Sequence, residues 1–208
     1  MYVLFLKGGP MMWPLLAASL IALSVVIERA AFLWRQQRNA QPALAAAMLR
    51  HVEEGRIDQA VNVGGQARDP VAATLVHGLI GREKSLANAL VIGACEAIAP
   101  FQRGIGILDT IVTLAPFLGL LGTVTGMVRA FGLLGQQELD APMAITGGIA
   151  EALIATAFGL AIAITALIPF NGLNALFEKT RHRLESAGTR FELMTRKTRT
   201  YENNRIVR

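Results

Sequence analysis

Glu151 and Thr156 stand five residues apart in an apolar run from Ile145 to Pro169, and Thr123 and Thr125 lie in an earlier apolar run from Ile105 to Val128. An ionisable side chain inside a span is costly unless it faces water or a partner, so Glu151 is a candidate for an ion or proton path. An interfacial carboxylate is the plainer alternative, because Glu151 comes near the start of its run. Threonine hydroxyls in an apolar wall can bond a carboxylate or hold a short file of water. A threonine in a membrane helix also often just bonds its own backbone. Asp109, close to the start of its run, reads as interfacial or structural. The chemistry suggested is proton movement rather than bond making. The sequence holds no Walker loop, no His-based metal pair and no nucleophile elbow. Cys95 is the one cysteine, which excludes an internal disulfide and a Cys-based metal site, and it reads as a small core residue. His77 and His182 read as surface residues. Neither an enzyme nor a cofactor or metal is expected.

Small residues are placed to bring those groups together. The earlier run carries Gly104, Gly106, Gly119, Gly122 and Gly126, with Pro116 as a candidate kink or packing residue. Gly122 to Gly126 is a small-xxx-small element, which lets helix backbones approach closely. The later run carries Gly148, Ala152, Ala155, Thr156, Gly159 and Ala163 at steps of three or four. Close packing by itself accounts for most of these glycines; the hydroxyls and the acid ask for more.

The elements that carry them are membrane helices. Apolar residues make up 53% of the 208-residue chain, charged residues 17%, and mean hydropathy is +0.44. A soluble domain averages about 25% charged residues. A further apolar run, Met11 to Ile27, is short for a span but is extended by Trp13 and Trp34. Those indoles stand roughly 31 Å apart on a helix, close to a bilayer core, and mark its two edges. Glu28 and Arg29 fall at the inner edge, where a long Arg can snorkel. A cleaved signal peptide is disfavoured, since Lys7 is the one basic residue before the run and a helix-like segment continues after it. Leu86 to Ala99 is apolar but short and contains Asn88 and Glu96, so it reads as a buried helix rather than a fourth span.

Charge sets the orientation. Eight Lys or Arg residues lie between Arg35 and Arg103 and nine between Lys179 and Arg208; the second connection has Arg129 and the N-terminus Lys7. The positive-inside rule places the first loop and the tail in the cytoplasm. The expected layout is a periplasmic segment 1–10, spans at 11–34, 105–128 and 145–170, a cytoplasmic helical loop 35–104, a short periplasmic connection 129–144, and a cytoplasmic helical tail 171–208. In the loop, Pro42 and Gly55 bracket a helix, the Gly64-Gly65 pair breaks the chain, Asp69-Pro70 caps the next helix, Ser85 caps another, and Pro100 kinks or breaks it. In the tail, Leu173, Phe177, Thr180, Leu184, Ala187, Phe191 and Met194 form a heptad seam. The third span therefore continues as one long helix, packing on other helices of the same assembly. Its basic residues read as a solvated face, with no motif for nucleic acid.

The stretches Leu114-Ala-Pro-Phe-Leu-Gly-Leu-Leu-Gly-Thr-Val-Thr-Gly-Met127 and Gly148-Ile-Ala-Glu-Ala-Leu-Ile-Ala-Thr-Ala-Phe-Gly-Leu160 resemble the ExbB/TolQ/MotA proton-channel family, as does Glu28-Arg29. The strong match covers about a quarter of the chain. Three spans and a short length resemble the ExbB and TolQ branch, ExbB above all, rather than the longer MotA branch. The resemblance implies an all-α subunit of a homopentameric ring in the inner membrane. A dimer of a single-span ExbD-like or TolR-like partner threads the ring, and its membrane Asp carries the proton. A TonB-like or TolA-like protein takes up the work. By motif, Thr123 and Thr156 match the family's lumen-facing threonines, Glu151 its acid near the periplasmic end of the third span, and Pro116 its second-span proline. Two other readings remain open: a secondary transporter, disfavoured by three spans without an internal repeat, and a passive membrane scaffold, disfavoured by Glu151 and the threonines.

Overall fold

A computed structural model describes residues 5, 7–39, 42–66, 69–134 and 141–206, and the described elements are all helical: α1 (Met12–Asn39), α2 (Pro42–Glu53), α3 (Ile57–Gln66), α4 (Pro70–Gln102), α5 (Ile105–Leu134) and α6 (Ala141–Ile206). By length and composition, segments of α1, α4, α5 and α6 are each apolar enough to cross a membrane: Met12–Gln36, Lys84–Gln102, Ile105–Gly132 and Ile145–Leu193. The chain divides into two compact units, Met1–Ala30 with Gly104–Leu173, and Ala31–Arg103 with Asn174–Arg208.

In the first unit α1, α5 and α6 pack through small residues and branched aliphatics. Met12, Leu15, Ala18, Ala22 and Val25 lie along one face of α1 and are buried against α5 and α6. The remaining faces stay apolar and exposed, from Trp13 and Ile27 on α1 to Phe117 on α5 and Ile168 on α6. An all-round hydrophobic helix with one packed face is what a bilayer solvates. Gly104, the last residue of the expected loop, makes the turn before α5 with φ +77, a left-handed conformation that suits glycine. Arg29 does not snorkel. Its side chain is 6% exposed, pairs with Glu28, and lies against Gly104, where a Cβ would crowd its Cδ at 3.4 Å.

The second unit confirms several turn signals and overturns others. Asp69 accepts a hydrogen bond from the Val71 N–H at 2.8 Å, with Pro70 in the first turn, as its sequence position predicts. Gly55 ends the α2 turn with φ +75. At Ser85, φ −166 and ψ 107 interrupt α4, and the Ser85 hydroxyl accepts from the Asn88 N–H at 3.4 Å, capping the second arm. The two arms fold back on each other: Gly78 faces Leu90, Gly81 faces Ala89, and Gly93 faces His77. Glycines at these crossings let the arms close on a turn this tight.

Four expectations fail here. Gly64-Gly65 does not break the chain, because α3 runs through both; Gly64 is buried against Met48 and Val76, so its lack of a side chain serves packing. Pro100 does not break the chain: it lies inside α4, and the chain leaves the helix at Arg103 and Gly104. The second arm is not a buried helix: Val91 and Ile92 are more than half exposed. Cys95 on that arm is exposed rather than in a core. The tail seam does face inward, with Thr180, Leu184 and Phe191 buried; the side chain of Met194 lies outside the described residues. Phe191, however, packs within its own chain, in a core with Met48, Leu75 and Leu79, rather than on another subunit. His77 and His182 are at the surface, each beside a carboxylate, Glu96 and Glu185.

Candidate functional site

Two ladders of small residues hold α5 and α6 together. On α5 they are Ala115, Gly119, Gly122, Gly126 and Ala130; on α6 they are Gly148, Ala152, Ala155, Gly159 and Ala163. Both sets follow the same spacing, four, three, four and four residues, which keeps each on one helix face. The helices run antiparallel, with Gly119 against Thr156, Gly126 against Gly148 and Gly159 against Ala115. A Cβ on Gly159 would stand 2.6 Å from the Ala115 carbonyl oxygen, and one on Gly122 2.5 Å from the Ala155 Cβ. The backbones meet where a larger residue would part them. Of the glycines in the two runs, Gly119, Gly122, Gly126, Gly148 and Gly159 lie in this seam, whereas Gly106 faces open space and Gly104 faces Val25 and Arg29. Pro116 sits beside it within an α5 that continues from Ile105 to Leu134.

That close approach allows a hydrogen bond between the two helices. The Thr156 hydroxyl donates to the Gly119 carbonyl at 3.0 Å. Thr123, one turn beyond Gly119, donates to its own helix at Leu120 O, 2.7 Å away, and Thr125 donates to Leu121 O at 3.0 Å. Thr123 and Thr156 are both half-buried. Since a carbonyl can only accept, both hydroxyl hydrogens are committed. What each oxygen offers outward is its lone pairs.

The three pore candidates do not stand together. Glu151 accepts from Arg129 Nη1 at 2.9 Å and faces Gly9 of the segment before α1. At about 100° per residue, Glu151 and Thr156 are roughly 140° apart on α6, and Thr123 and Arg129 roughly 120° apart on α5. The seam lies between, so each helix has two flanks. One flank carries Arg129 and Glu151, together with Ile111, Leu118, Phe158 and Ile162, which pack on α1. The opposite flank carries Thr123 and Thr156. Around those threonines, Leu120, Val124, Met127 and Phe131 of α5 and Ile149 and Leu160 of α6 are exposed, and a shallow recess opens beside Thr123. Asp109 is exposed near the start of α5.

Arg129 went unnoticed in the sequence except as a charge to be counted. The one signal available was an Arg three residues beyond Gly126, which the seam carries to the level of Gly148 and Glu151. Among the described residues no cluster of His, Cys, Asp and Glu is suited to a metal ion.

The chain thus presents an exposed apolar flank dotted with hydroxyls, backed by a glycine seam on two antiparallel helices. The family described as the MotA/TolQ/ExbB proton channel family matches residues 67–186. The chain belongs to this family. A Synechocystis sp. protein named biopolymer transport protein ExbB-like 1 is 35% identical, covering 92% of this chain and 78% of its own length. A second Synechocystis protein, ExbB-like 3, is 30% identical over 92% of this chain and 93% of its own. An ExbB homolog from Methanothermobacter thermautotrophicus is 30% identical over 77% of this chain and 58% of its own. The protein is thus an ExbB-like member of a membrane proton-channel family, a transport component rather than a member of an enzyme family.

Proposed function

We propose that this chain is the channel-forming subunit of an inner-membrane motor that turns proton motive force into mechanical work. Five copies form a ring, with the N-terminus periplasmic and the C-terminus cytoplasmic. The threonine-bearing flank of α5 and α6 faces the lumen. A dimer of a single-span ExbD-like or TolR-like partner occupies that lumen, and a TonB-like or TolA-like protein receives the work. The observation that carries this reading is the exposed apolar flank on which Thr123 and Thr156 are the polar groups nearest the seam.

The chemistry follows from what that wall offers. A partner carboxylate amid Leu120, Val124, Met127 and Leu160 would be costly as an anion and so neutralises there. A protonated carboxyl can donate to the lone pairs of Thr123 or Thr156 while both hydroxyls keep their backbone bonds. An ionised carboxylate needs a donor, so a threonine must rotate and give up a bond worth about 1 kcal/mol. The ionised form therefore stays at the hydroxyls, whereas the protonated form can also pass along the apolar wall between them. A proton entering from one side and leaving on the other moves the partner relative to the ring. A membrane potential contributes about 2.3 kcal/mol per charge per 100 mV, enough to bias each such step.

Native mass spectrometry of the detergent-purified complex, co-expressed with a single-span partner carrying a membrane Asp, tests the proposal. The expected species is a ring of five copies holding two of the partner. A monomer, or a ring without partner inside, sinks the threaded-lumen reading.

A further inference from the structure

Three parts of the fold converge on one carboxylate. Arg129, half exposed near the end of α5, donates to Glu151 near the start of α6, whose side chain is 18% exposed. From the other side comes the turn before α1. Gly9 there has φ +70, and a Cβ on it would fall on the Glu151 carboxylate oxygen. A Cβ on Gly8 would stand 2.6 Å from the Met12 side chain and 3.1 Å from that of Ile154. Met12 in turn donates its N–H to the Gly9 carbonyl at 3.2 Å, which ties the turn to the first residue of α1. The carboxylate is therefore held between a cation and a backbone that only glycine can bring so near, on the flank away from Thr123 and Thr156.

We propose that Arg129 is a positioning residue. It fixes Glu151 on the α1-facing flank, and through it latches the Gly8–Gly9 turn across α5 and α6. Glu151 acts as the anion of this latch and not as a group exchanging protons with the partner. This rests on the proton-channel reading above for its functional consequence, though the latch itself does not. The physical ground is an asymmetry. Removing one member of a partly desolvated ion pair strands the other, whereas neutralising both with groups of similar shape leaves neither stranded.

Two measurements test it on the full-length chain. In the first, a nitroxide is placed on Lys7→Cys in a Cys95→Ser background; Lys7 is exposed and adjoins the turn. Arg129→Gln should free the label and sharpen its spectrum, and Arg129→Lys should restore the broad one. A spectrum that Arg129→Gln leaves unchanged overturns the latch. In the second, the complex with its partner is reconstituted in vesicles and proton flux is followed. Glu151→Gln alone should lower flux several-fold, and adding Arg129→Gln should regain most of the loss. A double variant as inactive as Glu151→Gln alone shows that Glu151 acts through its own proton, and overturns its assignment as the latch anion. Absence of flux from the unsubstituted complex counts against the motor instead, and the spin-label result then decides the latch by itself.

Discussion

Thr156 does two things with one hydroxyl. Its hydrogen closes a bond to Gly119 O across the seam, and its lone pairs face the exposed flank. Thr156→Val keeps the volume and removes both. The expected result is loss of about 1 kcal/mol of helix-pair stability, read as a lower Tm in detergent, together with loss of proton flux. Thr156→Ser should keep most of each. Flux at the unsubstituted level in Thr156→Val would take this hydroxyl out of the proton path. Glu151 differs from Thr156 in kind. It is enclosed by Arg129 and Gly9 rather than presented to the threonine flank.

At the scale of the element, the seam between α5 and α6 is what sets the height and direction of every candidate group. It leaves little slack. A methyl at Gly159 meets the backbone oxygen of Ala115, which cannot swing aside as a side-chain tip would. Gly159→Ala should therefore force the helices apart and cost about 1–3 kcal/mol, visible as a depressed Tm and fewer assembled rings in native mass spectra. Unaltered thermal stability would mean that α5 and α6 are not in contact there. The α4 hairpin uses the same device, with Gly78, Gly81 and Gly93 at its crossings. Its apolar second arm consequently makes a narrow contact with the first and leaves Val91 and Ile92 exposed.

For the molecule as a whole, that arm decides the number of spans. Lys84–Gln102 has a hydropathy of 1.2, against 1.9 for Ile105–Gly132 and 2.3 for Ile145–Leu193. Three spans agree with the distribution of Lys and Arg; a fourth would place the many positive charges on either side of it on opposite faces. The chain supplies its own reporter, since Cys95 lies mid-arm and is exposed. In inverted membrane vesicles a membrane-impermeant maleimide should modify Cys95 readily. Protection in both inverted and right-side-out vesicles would place the arm in the bilayer and require a fourth span.

Sequence alone determined the helical class, the apolar segments, the caps at Asp69 and Ser85, the small-residue faces and the family. Each is a local or periodic property: a cap needs one side chain near one N–H, and a face needs only a repeat close to 3.6 residues. Tertiary structure alone decided which flank each group occupies. Thr123, Thr156 and Glu151 share two adjacent apolar segments, but how they sort depends on where α1 packs and on which residue answers the carboxylate. That answer comes from Arg129, 22 positions away in sequence. It likewise decided that Phe191 fills its own chain's core and that Gly64 is a packing residue rather than a break. A periodic pattern states that a face is buried; what covers it depends on residues distant in the chain, which no local signal contains.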